Sequence, residues 1–103
     1  MGVKADMEKA VFWYQKAAEQ GNAQAQCNMG NMYSEGKGVE VDNAKAVYWY
    51  QKAAEQGNAK AQFNLAVMYD EGEGVEVDKA KANFWYQKAA EQGQVNAQFN
   101  LGN

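Results

Sequence analysis

The dominant feature of the sequence is a repeat with a period of 36 residues. The string WYQKAAEQG occurs three times, at residues 13–21, 49–57 and 85–93. When residues 1–67 are laid over residues 37–103, 46 of the 67 positions are identical. A period of about 20–50 residues is the signature of stacked supersecondary units rather than of one irregular core. The sequence therefore predicts that residues 1–103 form a single repeat array.

The first helix of each unit, which we call the B helix, follows from its caps and from the spacing of its apolar residues. Asp42 can accept from the free amides of a first turn, and Gly57 stands where helices often end in a left-handed residue. Between them Trp49, Tyr50 and several alanines recur at helical spacing, with polar residues opposite. Two further aspartates are predicted to open the equivalent helices, Asp6 and Asp78. The predicted B helices span residues 7–20, 43–56 and 79–92.

The second helix of each unit, the A helix, follows the B helix with almost no linker. Asn22 and Asn58 are its predicted N-caps. The glycines of the next turn, such as Gly72 and Gly74, end it at positions that need positive φ. The predicted A helices span residues 23–35 and 59–71, and a partial A helix is predicted at 95–103.

One helical pair cannot cover its own apolar faces, so neighbouring pairs must stack. The sequence therefore predicts an all-α fold, a solenoid of helix-turn-helix units. Trp13, Trp49 and Trp85 recur beside alanine-rich positions, which favours packing between successive pairs over an aromatic binding ladder. Val39 and Val41 of the connecting turn are predicted to pack beneath a pair.

The run from Ala61 to Gly93, AQFNLAVMYDEGEGVEVDKAKANFWYQKAAEQG, resembles a Sel-1-like repeat, a relative of the tetratricopeptide repeat. The resemblance covers essentially the whole chain. It implies a right-handed α/α superhelix that acts as an adaptor or scaffold for protein partners. One cysteine-rich bacterial branch of this family carries a disulfide in each repeat and has been linked to β-lactam chemistry. Its cysteines would fall here at other residue types, so that activity is not carried over: Ala18/Gln26, Ala54/Gln62 and Ala90/Gln98.

The side-chain inventory argues against an enzyme. The chain has no histidine, arginine or threonine, one serine and one cysteine, so a nucleophile activated by histidine is impossible within it. Cys27 stands where its copies carry Phe63 and Phe99, which indicates an apolar filler. The acidic turn from Asp70 to Asp78 lacks the ligand spacing of a calcium loop, and its copy carries Lys37 in the middle. We therefore expect no catalytic residue, no metal and no cofactor.

Charge and hydropathy narrow the classes of partner. The net charge is −3 and the lysines are scattered, so no basic stripe is available for nucleic acid. No apolar run approaches the roughly 20 residues of a membrane span. Residues 1–10 contain no signal-peptide core, and the single cysteine gives no sign of an oxidising compartment, so the sequence indicates no localisation. A protein or peptide partner is the remaining expectation.

The resemblance further implies that the A helices line the concave face of the superhelix. Asparagines recur there in register, and their amides offer donors and acceptors to the backbone of an extended peptide. Lysine would contact a carboxylate, and phenylalanine would form apolar pockets. In the alternative interpretation the asparagines bond between neighbouring helices and the phenylalanines seal the groove floor. The candidate peptide-binding residues are Gln24, Asn28, Asn31, Lys60, Phe63, Asn64, Val67, Asn96, Phe99 and Asn100.

The ends of the chain suggest a second mode of association. The chain opens with a B helix that has no A partner and closes inside an A helix, and these two ends are complementary. A head-to-tail contact between copies would cover both and would extend unless it closes into a ring. Two hypotheses follow. The first is a non-catalytic scaffold that binds a peptide or protein segment; the alternative is a self-assembling structural or engineered repeat protein with no dedicated ligand.

Overall fold

A computed structural model describes the backbone of residues 2–93 and the side chains of residues 5–93, and within these limits the chain is helical, with no strand. The helices are α1 (Gly2–Glu19), α2 (Ala23–Glu35), α3 (Asn43–Glu55), α4 (Ala59–Glu71) and α5 (Lys79–Glu91). Each helix packs mainly on its neighbours in the chain, and α2 also touches α4. This arrangement confirms the predicted all-α solenoid. In B and A terms, α1, α3 and α5 are B helices, and α2 and α4 are A helices.

The predicted caps explain where most of the helices begin and end. The side chains of Asn22 and Asn58 accept from the amides of Ala25 and Ala61 at 2.8 and 2.9 Å. Asp42 accepts from the amide of Lys45 at 3.1 Å, and Asp78 plays the same part in α5. The bounds of α2 to α5 agree with the predicted ranges to within one residue. The predicted partial helix at 95–103 lies outside the described residues.

The start of α1 differs from the prediction. The helix begins at Gly2, so Asp6 lies inside it and does not serve as the N-cap that we expected. In the later repeats the corresponding segment is a glycine-containing turn that leads out of an A helix. Without a preceding A helix in the described residues to fix that turn, the first residues continue the helix.

The core is assembled from B-helix aromatic residues and the alanine, methionine and leucine residues of the helices on either side. Trp49 of α3 is 7% exposed and packs in one cluster with Ala18, Ala25 and Met29 of α1 and α2. Tyr50, the next residue, is 3% exposed and lies in a second cluster with Leu65 and Met68 of α4. Two adjacent residues of one helix therefore join two successive helical pairs, and for Trp49 this is the packing predicted from its repetition.

The first copy of the tryptophan behaves differently. Trp13 is 65% exposed, and its neighbour Phe12 is also largely exposed. The prediction that all three tryptophans are core residues is thus wrong for Trp13, since no described helical pair precedes α1. Trp85 is half-buried and packs against the two clusters on either side of it.

The connecting turns also depart from the prediction at one valine. Val39 and Val75 are half-buried, whereas Val41 is 60% exposed and Val77 is exposed as well. Each exposed valine lies against the glycine that ends the preceding A helix, where a Cβ would clash with it. The turn is held instead by Gly74, whose missing side chain lets it lie on the backbone of Asn43 at the start of α3.

At each described junction between repeats, a buried glutamine of the A helix forms hydrogen bonds to the ends of the B helices on both sides. We call this set of bonds the polar clamp. The Gln62 side chain is 4% exposed; its Nε2 donates to the carbonyl of Ala54 at 3.1 Å, and its Oε1 accepts from Gln92 Nε2 at 2.9 Å. Gln26 repeats the pattern with Ala18 and Gln56. These are the residue pairs at which the cysteine-rich branch would carry its disulfides. Hydrogen bonds between successive B helices and the A helix between them stand there instead.

We expect Gln62→Ala to lower the free energy of unfolding by about 1–3 kcal/mol, because it removes two hydrogen bonds and leaves a void in a buried site. Urea denaturation followed by circular dichroism measures the change. Gln51→Ala is the matched control, since Gln51 makes only an exposed bond to Glu55 within α3 and should cost less than about 0.5 kcal/mol. Equal losses for the two variants would show that the clamp does not stabilise the junction.

Candidate functional site

The predicted binding residues on α2 and α4 share one side of the array. Lys60 and Gln24 are exposed near the amino ends of α4 and α2. Asn31, Asn64 and Val67 are half-buried further along the two helices. Where the two A helices meet, Asn64 Nδ2 donates to Asn31 Oδ1 across a distance of 3.4 Å. The structure thus brings the central candidates together and leaves Lys60 and Gln24 at one end of the surface.

Tyr50 completes a polar group with Asn31, Asn64 and Ser34. The Tyr50 hydroxyl reaches the surface between the A helices and donates to Asn31 Oδ1 at 2.5 Å. Ser34 Oγ lies 3.4 Å from the same hydroxyl. A buried tyrosine ring with a hydrogen-bonded hydroxyl at its polar end is the usual way in which this side chain spans a core boundary. Its position therefore ties the surface asparagines directly to the packing between repeats.

Close packing fixes that tyrosine. A Cβ added to Gly30 of α2 would lie 2.5 Å from Tyr50 Cδ1, so only glycine leaves room for the ring. Burial raises the pKa of Tyr50 to about 12, an effect that the Ser34 and Asn64 hydrogen bonds partly offset. The hydroxyl is consequently a protonated donor at any physiological pH.

A cavity of about 230 Å³ opens beside this polar group. Its lining comes from both A helices, from α3 and from the turn after α4: Ser34, Asn43, Tyr50, Asn64, Val67, Met68 and Glu73. Gly74 explains why Glu73 is present, because the turn can rest on the Asn43 backbone only if residue 74 has no side chain. The volume is below the about 300–1,000 Å³ typical of small-molecule sites, so the cavity suits a single side chain rather than a cofactor.

The polar group has unused hydrogen-bonding capacity. Asn31 Oδ1 accepts two bonds, but no residue among those described bonds to the Asn31 Nδ2 group or to Asn64 Oδ1. Asn28 Oδ1 accepts from Gln24 Nε2 at 3.2 Å, and its own Nδ2 group is likewise without a partner in this part of the chain. The surface therefore offers donors on α2 and an acceptor on α4, which is the pairing that a peptide backbone needs.

The two open questions about the candidates receive different answers. Asn64 does bond between neighbouring helices, as the alternative interpretation held, yet it does so with Asn31 and keeps its acceptor available. Phe63 is half-buried, lies 5.7 Å from the Tyr86 ring and packs on the core of the second repeat. Asn96, Phe99 and Asn100 lie outside the described residues.

Sequence reasoning missed Asn43, Tyr50 and Glu73. The repeat pattern left the environment of Tyr50 open, since a tyrosine can bury its ring and keep its hydroxyl in water, and it did not indicate that the hydroxyl bonds to Asn31. Asn43 and Glu73 stand in the first turn of a helix and in a loop, where no periodicity marks a site. Only the contact between the turn and α3 brings them together.

The described residues contain no metal-binding cluster, no helix that could span a membrane and no exposed thiol. No group of three or more histidine, cysteine or acidic side chains in residues 5–93 is placed to hold a metal ion. Within the described chain, none of the helices combines the length and hydropathy that a bilayer span requires. Cys27 is 1% exposed in the core, where burial raises the pKa of its thiol while the charge of Lys60 acts in the opposite direction. A buried thiol of this kind is inert.

The match to a family model is extensive. A model described as Sel1 repeat matches residues 1–22, 23–58 and 59–94. No curated protein sequence matches the chain.

Solved structures with the same architecture include proteins from three bacteria. A protective antigen of uropathogenic Escherichia coli, c5321, which displays an SLR fold, is 50% identical with a TM-score of 0.91 over 92% of this chain and 20% of its own. A Sel1 repeat protein from Oxalobacter formigenes is 44% identical with a TM-score of 0.89, over 92% and 39% of the two chains. Helicobacter pylori cysteine rich protein B is 26% identical with a TM-score of 0.80, over 84% and 65%. The chain thus spans one fifth to two thirds of the length of these structures.

The raised pKa of Tyr50 predicts a specific loss of stability in alkali. The hydroxyl ionises near pH 10 in the unfolded chain and near pH 12 in the folded one, so its contribution is complete below pH 10 and is lost as the pH rises toward 12. We expect Tyr50→Phe to be less stable than the native chain at pH 8 but to decline less steeply between pH 10 and 12. Urea denaturation at each pH measures both. Tyr48→Phe, at an exposed position, should keep the native slope, and an unchanged slope in Tyr50→Phe would contradict the assignment.

Proposed function

Because the chain belongs to the Sel1 repeat family, whose members are generally protein-interaction scaffolds and typically non-catalytic, we propose that it binds an extended peptide segment of a protein partner. The proposed surface is the side shared by α2 and α4, with Asn31, Asn64 and the adjoining cavity at its centre. In this role the chain provides a fixed frame and performs no reaction on its ligand.

The observation that carries the proposal is a hydrogen-bond donor and an acceptor at the centre of this surface, neither of which has a partner among the described residues. Asn31 Nδ2 and Asn64 Oδ1 belong to side chains already anchored by Tyr50 and by each other, so their rotamers are set before a ligand arrives. Prior ordering lowers the entropy that binding must overcome. A peptide whose carbonyl meets Asn31 and whose amide meets Asn64 would bond to both without rearranging either.

Opposite charges lie at the two ends of the proposed surface. Lys60 lies one turn before Asn64 near the amino end of α4, and Glu73 follows the carboxyl end of the same helix. At about 1.5 Å per residue the positive and negative ends are separated by roughly 18 Å, the reach of about five extended residues. A segment with an acidic group at one end and a basic group at the other would satisfy both ends.

A second candidate, head-to-tail association of copies, rests on the exposed aromatic face of α1. Trp13 is 65% exposed, whereas Trp49, at the same place in the next repeat, is buried against Ala18, Ala25 and Met29. Burial of a large aromatic side chain stabilises a contact by about 1.5–3 kcal/mol. We propose that the carboxyl-terminal end of another copy of the chain covers this face.

Panning a random 12-residue peptide library tests the first proposal. We expect selected peptides to lose about tenfold or more in affinity on Asn64→Ala, which removes a preset hydrogen-bonding group, and less on Lys60→Ala, which removes an exposed charge. Isothermal titration calorimetry measures the affinities, with unchanged helical circular dichroism as the check on folding. Gln51→Ala on α3 is the control and should bind like the native chain. Peptides that bind all three variants equally would place the site elsewhere.

Light scattering across a range of protein concentrations tests the second proposal. The native chain should grow in mass as the concentration rises, and Trp13→Ala should shift that growth to concentrations about tenfold higher or more, because it removes the aromatic contact. Tyr48→Ala is the control, since Tyr48 is similarly exposed but lies outside the proposed contact. A mass that stays at one chain throughout would count against head-to-tail association.

A further inference from the structure

The first and second repeats carry different side chains at one equivalent position, between the end of the A helix and the start of the next B helix. Ser34 at the end of α2 and Asn43 at the start of α3 correspond, 36 residues later, to Asp70 and Lys79. The backbone around both pairs is the same, with an A helix ending in a left-handed glycine and a B helix capped by aspartate. At this position the two repeats therefore share their backbone and differ in their side chains.

In the second repeat the ammonium group of Lys79 occupies this position. Lys79 Nζ donates to the backbone carbonyl of Asp70 at 3.0 Å and also bonds to the Asp70 carboxylate. The carbonyl belongs to the last turn of α4, where free carbonyls and the helix dipole attract a positive charge. This position in the repeat accommodates a lysine head group.

In the first repeat the same position is open. Ser34 and Asn43 are too short to fill it, and both line the cavity of about 230 Å³. The last turn of α2 supplies the same kind of carbonyls, and Ser34 Oγ, Asn64 Oδ1 and the Glu73 carboxylate add acceptors around the cavity. Val67 and Met68 provide an apolar wall of the kind that the stem of a lysine covers.

We propose that this cavity, which we call the lysine pocket, receives a lysine side chain of the bound peptide. The inference rests on the proposed function and specifies the chemistry of the partner. The ammonium group would take the place that Lys79 holds in the next repeat, with Ser34, Asn64 and Glu73 as its neighbours.

The charges near the pocket favour a cation over an anion or a neutral group. Lys37 is paired with Glu35 at 3.0 Å, and Lys79 with Asp70, so neither of these lysines forms an ion pair with Glu73. Glu73 raises the pKa of the Glu71 carboxyl above its ordinary value, through a side-chain hydrogen bond and through its negative charge, while the charge of Lys79 acts in the opposite direction. Two neighbouring carboxylates repel each other, and a bound ammonium group relieves that repulsion. Lysine also fits better than arginine, because its compact head matches acceptors that surround one point.

Nuclear magnetic resonance on the isotope-labelled full chain tests the pocket with a defined probe. The probe is the peptide acetyl-Gly-Ser-Lys-Ser-Gly-amide, compared with the same peptide carrying Nε-acetyllysine or arginine. We expect the lysine peptide to shift the backbone amide signals of Ser34, Asn43 and Glu73 and the side-chain amide signals of Asn64. The acetylated peptide, which lacks the charge, should leave them unchanged, and the arginine peptide should shift them less.

Variants taken from the second repeat provide the sharpest control. Ser34→Asp with Asn43→Lys installs the internal ion pair of the next repeat, in a frame already known to tolerate it, and should abolish the shifts. Glu73→Gln should weaken binding about two- to fivefold, as expected for an exposed charge, and Glu91→Gln on α5 should have no effect. Equal shifts from the acetylated peptide, or shifts that survive the double variant, would overturn the proposal.

The peptide library and the nuclear magnetic resonance experiment together distinguish a failure of the lysine pocket from a failure of the proposed function. Library peptides that need Asn64, lack lysine and bind the double variant normally would leave the peptide-binding surface standing and refute the lysine pocket. Lysine-dependent shifts at the pocket, with no library peptide that binds the surface, would support the pocket and refute the wider proposal.

Discussion

Trp49 and Tyr50 are neighbours on one turn of α3, yet they pack into two different clusters, Trp49 with Ala18, Ala25 and Met29 and Tyr50 with Leu65 and Met68. Helix α3 thus inserts a bulky aromatic pair among the alanine, methionine and leucine side chains of the helices around it. An aromatic side chain of this size buries enough apolar area to outweigh the cost of ordering it. The stacking of the array and the spacing of its A helices depend on this contact.

The candidate site is a consequence of the same packing. Gly30 leaves room for the Tyr50 ring, the ring carries its hydroxyl to Asn31, and Asn31 is thereby fixed where it meets Asn64 of the next A helix. The turn at Gly74 adds Glu73 to the rim by resting on α3. A polar surface at the junction of two repeats is therefore as rigid as the core beneath it, which is the property that a binding surface requires.

Repetition made the fold predictable, because every cap and every apolar position could be compared with its copy. Asp42, Asn58 and Gly72 act as expected, since local capping depends on a few neighbouring residues. Asp6 and Trp13 do not, because their copies depend on a preceding helical pair that the described residues lack. Asn31 and Asn64 were predicted from their helix face, whereas Tyr50, Asn43 and Glu73 join the site only through contacts between repeats, which no spacing within one helix reveals.

The most direct test of the central contact compares two tryptophans at the same place in two repeats. Trp49→Ala and Trp13→Ala make the same chemical change in B helices of nearly the same sequence, and the two sites differ in whether a helical pair covers the ring. Urea denaturation at low protein concentration should give a loss of about 3–5 kcal/mol for Trp49→Ala and less than about 1 kcal/mol for Trp13→Ala. Losses of equal size would contradict the view that insertion of the B-helix aromatic pair holds successive repeats together.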